Sequence, residues 1–541
     1  MKKISYVLPK KIVIVCGETE NAQSLLQQKT LQIGLGESDV AVVKGKCRLV
    51  LDFGEELCGG IRVLMHYVNG GHPVRIRFGE SLTEAVTPLG EKNATNDHSA
   101  RDFSADIPQL SDGRFGQTGF RFVCLEFSGG EYRIKSIVAE SESENHEVKG
   151  SFECSDSLVN DIYSVARKTL LLCLQNGMIW DGIKRDRLVW IGDLHPETLG
   201  LLYTTGDIKN IENCLDFSAN ETMPTQWMDG LTSYSFWWII VLYDYYRFTG
   251  RKEIILNHAD YLEKLIKNTE SLIGEDGTTS FPNDFLDWQT NGTKDAAEGV
   301  AALCKIACER AVKLLEIAGK NTAFAKRAAA KLAKRQKIAL KYKQAVAMRY
   351  LAFEEDKQTT GNALAAGGAK GLSSFMSYYV LTAVKQTVGA KNAMDMMKEY
   401  YGGMLDKGAT TFWEDFDVDW IKQSGRIDEI PENGKKDIHG DFGKYCYTGF
   451  RHSLCHGWSC GPIEFLTETV LGVSVAEAGY KKVVVSPDLC GLKYAKGSVP
   501  TPSGTIEINH TATENGIKTQ IICPENIEIT AVGCDCDIKR K

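Results

Sequence analysis

The sequence predicts a multidomain α + β protein: a central α/α barrel (150–474) flanked by an N-terminal β-sandwich (1–149) and a short C-terminal β domain (475–541). Two observations carry that reading, the spacing of apolar residues and the length of the chain. Apolar residues alternate with period two at the start, recur every three and four residues through the middle, and alternate again at the end. At 541 residues the chain exceeds one ordinary domain, because single cores stop growing at about 250–300 residues.

In the first region, 47–53, 74–78 and 120–127 largely alternate between two faces, one for a core and one for water. Gly-Gly pairs at 59–60, 70–71 and 129–130 are expected to be the turns that punctuate these runs. From about 152 the pattern changes, and Leu158, Ile162, Val165, Ala166 and Leu170 take helical spacing. Further helices are expected near 196–207, 232–249, 258–272, 297–356 with a break at Gly319, 370–388, 391–402 and 458–471. Connectors rich in Trp, Asp and Gly join them, as in an α/α barrel whose rim loops build a site. The tail shows strands at 482–486, 505–509, 518–523 and 527–531. It is too short for a large core of its own and is expected to pack on its neighbour.

A net charge of −7 with both signs interspersed leaves no basic stripe for phosphates, so nucleic acid is excluded as a partner. Pro9, Lys10 and Lys11 interrupt the first apolar run, which makes a poor secretory signal. The most apolar later stretch, 236–243, falls short of the roughly 20 residues a membrane helix needs. The 16 cysteines are scattered, and the close pairs Cys304/Cys308 and Cys534/Cys536 have no partnering histidines. Free thiols in a reducing cytoplasm are expected, with no metal and no cofactor. A homo-oligomer is compatible with this sequence.

Two loops carry the chemistry. Trp180 to Asp193 packs Asp181, Lys184, Arg185, Asp186, Arg187 and Trp190 into fourteen residues and is followed by His195 and Glu197. Thr410 to Phe416 sets Glu414 and Asp415 among aromatics beside Trp413. Glycoside hydrolysis needs one protonated and one ionised carboxyl group. Neighbouring cations keep a carboxylate ionised, whereas an apolar tryptophan wall raises the pKa of another. Each feature also has a plain structural reading. Asp193 suits a helix N-cap before Pro196, the arginines suit buried ion pairs, and His456 suits a core histidine. Asp287 with Trp288, and Trp227 to Gly230, put further acids beside tryptophan, while Trp237 and Trp238 are expected in the core.

Together these segments resemble the bacterial α-L-rhamnosidases of glycoside hydrolase family 78. The resemblance runs through Leu51-Asp-Phe-Gly54, Gly59-Gly-Ile-Arg62, Arg75-Ile-Arg-Phe-Gly-Glu-Ser81, Asn96-Asp-His-Ser-Ala-Arg-Asp102 and Gly116-Gln-Thr-Gly-Phe-Arg121. It continues through Lys184-Arg-Asp-Arg187, Trp190, Gly192-Asp193, Asp287-Trp288, Thr411-Phe-Trp-Glu414 and His456. It implies a six-fold (α/α)6 barrel between β-sandwiches, and inverting removal of terminal α-L-rhamnosyl residues from glycosides or oligosaccharides.

The same resemblance makes Glu414 the general base. Many members read Arg-Asp-Glu-Arg where this chain has Lys184-Arg-Asp-Arg187, which puts Asp186 at the position of the acid, one methylene shorter. Asp186 is the first choice for the acid, Asp193 the second and Glu197 the third. Asp181, Arg185, Trp190, Glu197, Asp287, Trp288, Trp413 and His456 are expected to line the sugar pocket. The altered motif leaves three alternatives: another α/α-barrel glycosidase with a different sugar preference, a phosphorylase or lyase, or a non-catalytic glycan-binding homologue.

Overall fold

The computed structural model describes residues 2–95, 101–353, 355–432 and 434–541; 96–100 of the Asn96 motif lie outside them. In the N-terminal region, β1 (Lys2–Val7), β2 (Lys11–Glu20), β3 (Ala41–Asn69), β4 (Val74–Gly79), the short helix α1 (Leu82–Val86), β5 (Asp102–Ala105) and β6 (Ser111–Glu144) follow in order. The strands join as β2-β3-β6-β4-β5, with β1 on β6. Strand β3 runs antiparallel to β6 at Cys47↔Phe127 and again at Ile61↔Ala139. Leu49, Leu51, Phe53, Val63, Ile76, Phe78, Phe120 and Leu125 fill the core of this region.

Two of the three glycine pairs are not turns. Gly59-Gly60 and Gly129-Gly130 lie inside β3 and β6, and Gly70-Gly71 alone follows a strand end. Gly59 has φ +147°, and a Cβ there would stand 2.1 Å from the Glu140 carbonyl oxygen. Glycine at this position therefore lets two strand backbones approach where the register shifts.

Next come β7 (Ser151–Cys154) and α2 (Ser157–Leu172). The Asp156 carboxylate caps α2 by accepting the Leu158 and Val159 N–H groups at 3.0 and 3.4 Å. A small hairpin, β8 (Leu174–Gln175) and β9 (Met178–Ile179), precedes α3 (Leu194–Thr204), α4 (Lys209–Glu221), α5 (Thr232–Thr249) and α6 (Glu253–Ser271). Then follow α7 (Lys294–Ile317), α8 (Ala323–Leu332), α9 (Lys343–Phe353), α10 (Lys357–Ala365), α11 (Ser377–Val388), α12 (Ala390–Asp406) and the single-turn α13 (Pro462–Phe465). Helix α3 packs on α5, α5 on α7, α7 on α9, α9 on α11, α11 on α13, and α13 returns to α3. Between them α6 lies against α5 and α7, α10 against α9 and α11, and α12 against α11 and α2.

Helix α5 is buried almost all round, Trp237 and Trp238 included, as an inner helix should be. Helix α6 buries only a stripe through Ile255, Leu262, Leu265 and Ile266. The stretch 297–356 is broken twice, into α7, α8 and α9, and the expected helix from 370 begins only at Ser377. The expected helix at 458–471 is present as a 3₁₀ turn (Gly457–Cys460) followed by α13, which a π-helical turn (Leu466–Val470) continues.

The tail supplies β10 (Val473–Glu477), β11 (Lys482–Val485), β12 (Tyr494–Thr501), β13 (Gly504–Thr513), β14 (Gly516–Cys523), β15 (Glu528–Ala531) and β16 (Asp535–Arg540). One sheet runs β10-β11-β15, the other β16-β14-β13-β12-β7. Strand β7, from before the helices, pairs with β12 at Cys154↔Ala495. Val499, Ile506, Ile508 and Ile521 join the same core as the helices, so the tail does pack on its neighbour. All 16 cysteines are free. Among the described residues no helix is long and apolar enough to cross a membrane.

Candidate active site

The connectors that lead into α3, α5, α7 and α13 meet at one end of the helix circuit and enclose a cavity of about 290 Å³. That is the small end of ligand pockets, roughly 300–1,000 Å³, and suits one sugar ring. Asp181, Arg185, Asp186, Trp190 and Asp193 reach it from the first connector, Trp288 from the third, and Glu414 and His456 from the last. A larger hollow of about 720 Å³, lined by His195, Asp244 and Arg247, lies elsewhere. Its central groups satisfy one another, His195 to Asp244 at 3.0 Å and Arg247 to Asp244 at 2.9 Å.

Short backbone ladders hold this end of the helix circuit together. The Glu414 N–H donates to the Ser453 carbonyl at 3.0 Å, and the His456 N–H to the Phe412 carbonyl at 3.0 Å. The Gly457 N–H donates to the Asp181 carbonyl at 2.8 Å, which ties the two sequence-distant loops side by side. Trp458 Nε1 donates to the Glu414 carbonyl at 3.0 Å. Edge-to-face contacts run from Phe285 to Trp288, Trp288 to Tyr447 and Tyr447 to Trp458, so aromatic rings wall one side.

Arg185 is the electrostatic centre. Its Nη2 donates to both Glu414 carboxylate oxygens, its Nη1 to Asp186 Oδ2 at 2.8 Å, and its Nε to the Arg451 carbonyl at 2.7 Å. Burial opposes the Arg185 charge, but Glu414 and Asp186 outweigh it and hold the guanidinium protonated. Burial likewise pushes the Glu414 carboxyl up. Arg185 foremost, then the nearby histidines and the Ser453 N–H, overcome it and leave Glu414 at about 2.

Asp181 and Asp193 behave in the opposite way. Burial, reinforced by neighbouring carboxylates, raises both well above the usual aspartate range. Asp181 accepts the Leu188 N–H at 2.9 Å and Asp193 accepts the Tyr234 hydroxyl at 3.0 Å. Asp193 precedes α3, but its side chain caps no N–H group and faces the cavity. His456 Nε2 sits 3.8 Å from Asp181, 3.9 Å from Asp193 and 3.7 Å from Glu414. These gaps are too long for direct hydrogen bonds. Burial lowers His456 to about 4, so its imidazole is neutral at pH 7, and Nδ1 has no partner among the described residues. It is not the self-satisfied core histidine that composition also allowed.

Three expected pocket residues do not line the cavity. Glu197 is buried behind Gly457, where a Cβ would stand 1.8 Å from its Oε1, so backbone separates it from the hollow. Asp287 turns away to accept the Ser373 hydroxyl, and burial raises it to about 6. Trp413 is fully buried against Phe416. Residues missed include Asp229, Tyr234, Tyr447 and Trp458. Asp229 accepts the Ile191 N–H at 2.9 Å and is raised to about 6 by burial. Its Trp-Met-Asp-Gly surroundings were a visible signal; the two tyrosines had none.

Glu80, Glu84 and His439 bring potential ligand atoms within 4.8 Å of one another, outside the cavity. The Lys184 ammonium already supplies the positive charge there, 2.9 Å from Glu80 and 3.3 Å from Glu84.

Residues 147–365 match the family model for the bacterial alpha-L-rhamnosidase six-hairpin glycosidase domain, and 472–532 the model for the bacterial alpha-L-rhamnosidase C-terminal domain. A curated alpha-L-rhamnosidase of Alteromonas sp. (strain LOR) is 27% identical over 161 residues, covering 29% of this chain and 15% of that protein. The crystal structure of a GH78 family rhamnosidase of Bacillus sp. GL1 superposes with a TM-score of 0.77 at 22% identity, over 96% of this chain and 56% of that one. A rhamnosidase from Klebsiella oxytoca with rhamnose bound gives a TM-score of 0.70 at 20% identity, over 86% and 96%. The structural likenesses establish a multidomain fold of helices and sheets. The chain spans about half of the Bacillus protein and a small part of the Alteromonas one.

Proposed function

Because the chain belongs to the bacterial α-L-rhamnosidases by both of its matched domains, we propose that it is a glycoside hydrolase that removes terminal α-L-rhamnosyl residues with inversion. One observation carries the reading: two carboxylates from sequence-distant loops, Asp186 and Glu414, line one cavity the size of a sugar ring and are paired to the same guanidinium, Arg185. The oxygens it touches therefore stand no more than about 8 Å apart, a bound that admits the roughly 6.5–9.5 Å of an inverting pair and the roughly 5–5.5 Å of a retaining one alike, so inversion rests on the family resemblance. The closed circuit from α3 through α13 supports an (α/α)6 barrel, with 1–149 and 475–541 as flanking β-sandwich domains.

The terminal sugar enters ring first, its hydroxyls filling the gaps between His456 and the carboxyl groups of Asp181 and Asp193. The aglycone then points to the mouth. Asp186 is more exposed than its three neighbours in the cavity, 24% against 2–4% for Asp181, Asp193 and Glu414, and Asp229 at the same cavity is exposed as well. That exposure supports Asp186 as the acid: protonated once the entering aglycone displaces it from Arg185, it gives its proton to the glycosidic oxygen, while Arg185 yields one Glu414 oxygen to the attacking water. Glu414 takes the water proton, and the hydroxide adds to the anomeric carbon opposite the leaving group. Asp193, raised by burial, remains the second choice for the acid. Free thiols throughout support a reducing compartment such as the cytoplasm.

Glu414→Gln is expected to abolish hydrolysis of an aryl α-L-rhamnoside while retaining L-rhamnose binding. Full activity in the purified variant removes Glu414 as base. Turnover that depends on phosphate would favour the phosphorylase alternative.

A further inference from the structure

The Glu414 side chain is held by residues that are themselves held from the N-terminal β region. Glu80 follows β4 and is completely buried. Its Oε1 accepts the Ser453 hydroxyl at 3.2 Å and its Oε2 the Leu454 N–H at 2.7 Å. Ser453 in turn donates its N–H to Glu414 Oε2 at 2.9 Å and accepts the Glu414 N–H through its carbonyl at 3.0 Å. The second path runs through Lys184. Its ammonium pairs with Glu80 at 2.9 Å and donates to the Phe450 and His452 carbonyls at 2.8 and 2.6 Å. The next residue in the chain is Arg185, whose guanidinium grips Glu414.

One buried carboxylate thus reaches Glu414 by two routes, from both connectors that build the catalytic end. Simple stability does not explain the arrangement, because a buried ion pair is weak support for a fold. A base that must meet one water in one orientation does need such fixing, since a misplacement of about 1 Å can cost on the order of 10²-fold in rate.

We propose that Glu80, paired with Lys184, is a positioning residue for Glu414, which makes the N-terminal β region part of the catalytic apparatus. The inference rests on Glu414 being the general base. The test uses the full chain carrying Glu80→Gln, with rates on an aryl α-L-rhamnoside expressed per L-rhamnose-binding site counted by calorimetry. The expected result is a kcat about 10²-fold lower, with KM and the affinity for L-rhamnose within about threefold of wild type, as a loss confined to positioning requires. Glu80→Gln leaves the Lys184 charge with fewer partners, so a Glu80→Gln/Lys184→Met double variant, which removes both charges, guards against misfolding. It too is expected to bind L-rhamnose and turn over slowly. Wild-type kcat per site in either variant overturns the proposal. If Glu414→Gln is inactive while these variants are unimpaired, only the positioning role falls. An active Glu414→Gln removes the base assignment itself.

Discussion

Replacing Arg185 with methionine removes the group that sets the charge of the proposed base. Burial is the largest influence on Glu414 and acts upward, yet the carboxyl stands at about 2 because Arg185 leads the opposing contributions. Without the guanidinium, burial is opposed only by the histidines and the Ser453 N–H, and the Glu414 carboxyl is expected to rise from about 2 toward the ordinary glutamate range. Breaking a buried pair by removing one partner costs about 3–5 kcal/mol, so the variant should also unfold at lower urea. The assay is kcat/KM for an aryl α-L-rhamnoside between pH 3 and 9. Glu414 is ionised across that range in the wild type and contributes no acid limb, whereas Arg185→Met is expected to gain one within it.

Stability follows the same sign. With its folded pKa depressed, Glu414 contributes stability that is full above about pH 4.3 and lost as pH falls through 2. Arg185→Met should therefore lack that acid-side loss. Superimposable acid limbs in the two proteins would refute the coupling between Arg185 and Glu414.

Asp186→Asn should lose about 10²–10⁴-fold on a glycoside with a poor leaving group, but far less on a dinitrophenyl rhamnoside whose leaving group needs no proton. Asp193→Asn should lose on both alike and raise KM; the reverse pattern makes Asp193 the acid. Asp287→Asn tests the residue that turned away from the cavity. Burial raises Asp287 to about 6, so the folded state resists its ionisation and stability falls as pH rises from about 4 to 6. The variant should be flatter across that window by about 2–3 kcal/mol in urea titrations, with KM unchanged, and an unchanged slope counts against this account of its burial.

Much of the fold was legible where one face is buried and the other wet. Helix α5 occupies the residues expected from its apolar run, and the tail strands β11, β13, β14 and β15 fall within a residue or two of expectation apart from the longer reach of β13 and β14. Helices α4 and α10 were not foreseen, because Asn, Glu, Thr and Gly dilute their short apolar stripes. Gly59-Gly60 misled because a glycine that relieves close strand packing reads locally like a turn. In the site, the dense Trp180–Asp193 loop and the Glu414 loop announced themselves by charge and tryptophan content. Glu197, Asp287 and Trp413 sit beside cavity residues in sequence, but orientation decides exposure, and nothing in residue order reports it. Tyr234 was hidden by the opposite effect, as one aromatic among several in a helix that buries most of its rings in the core.

The direct test of two carboxylates acting from opposite faces is proton NMR of the first sugar released during hydrolysis of an aryl α-L-rhamnoside. An inverting pair is expected to give β-L-rhamnose first, followed by mutarotation. First release of the α anomer would mean retention, and would contradict the assignment of Glu414 as a base acting through water.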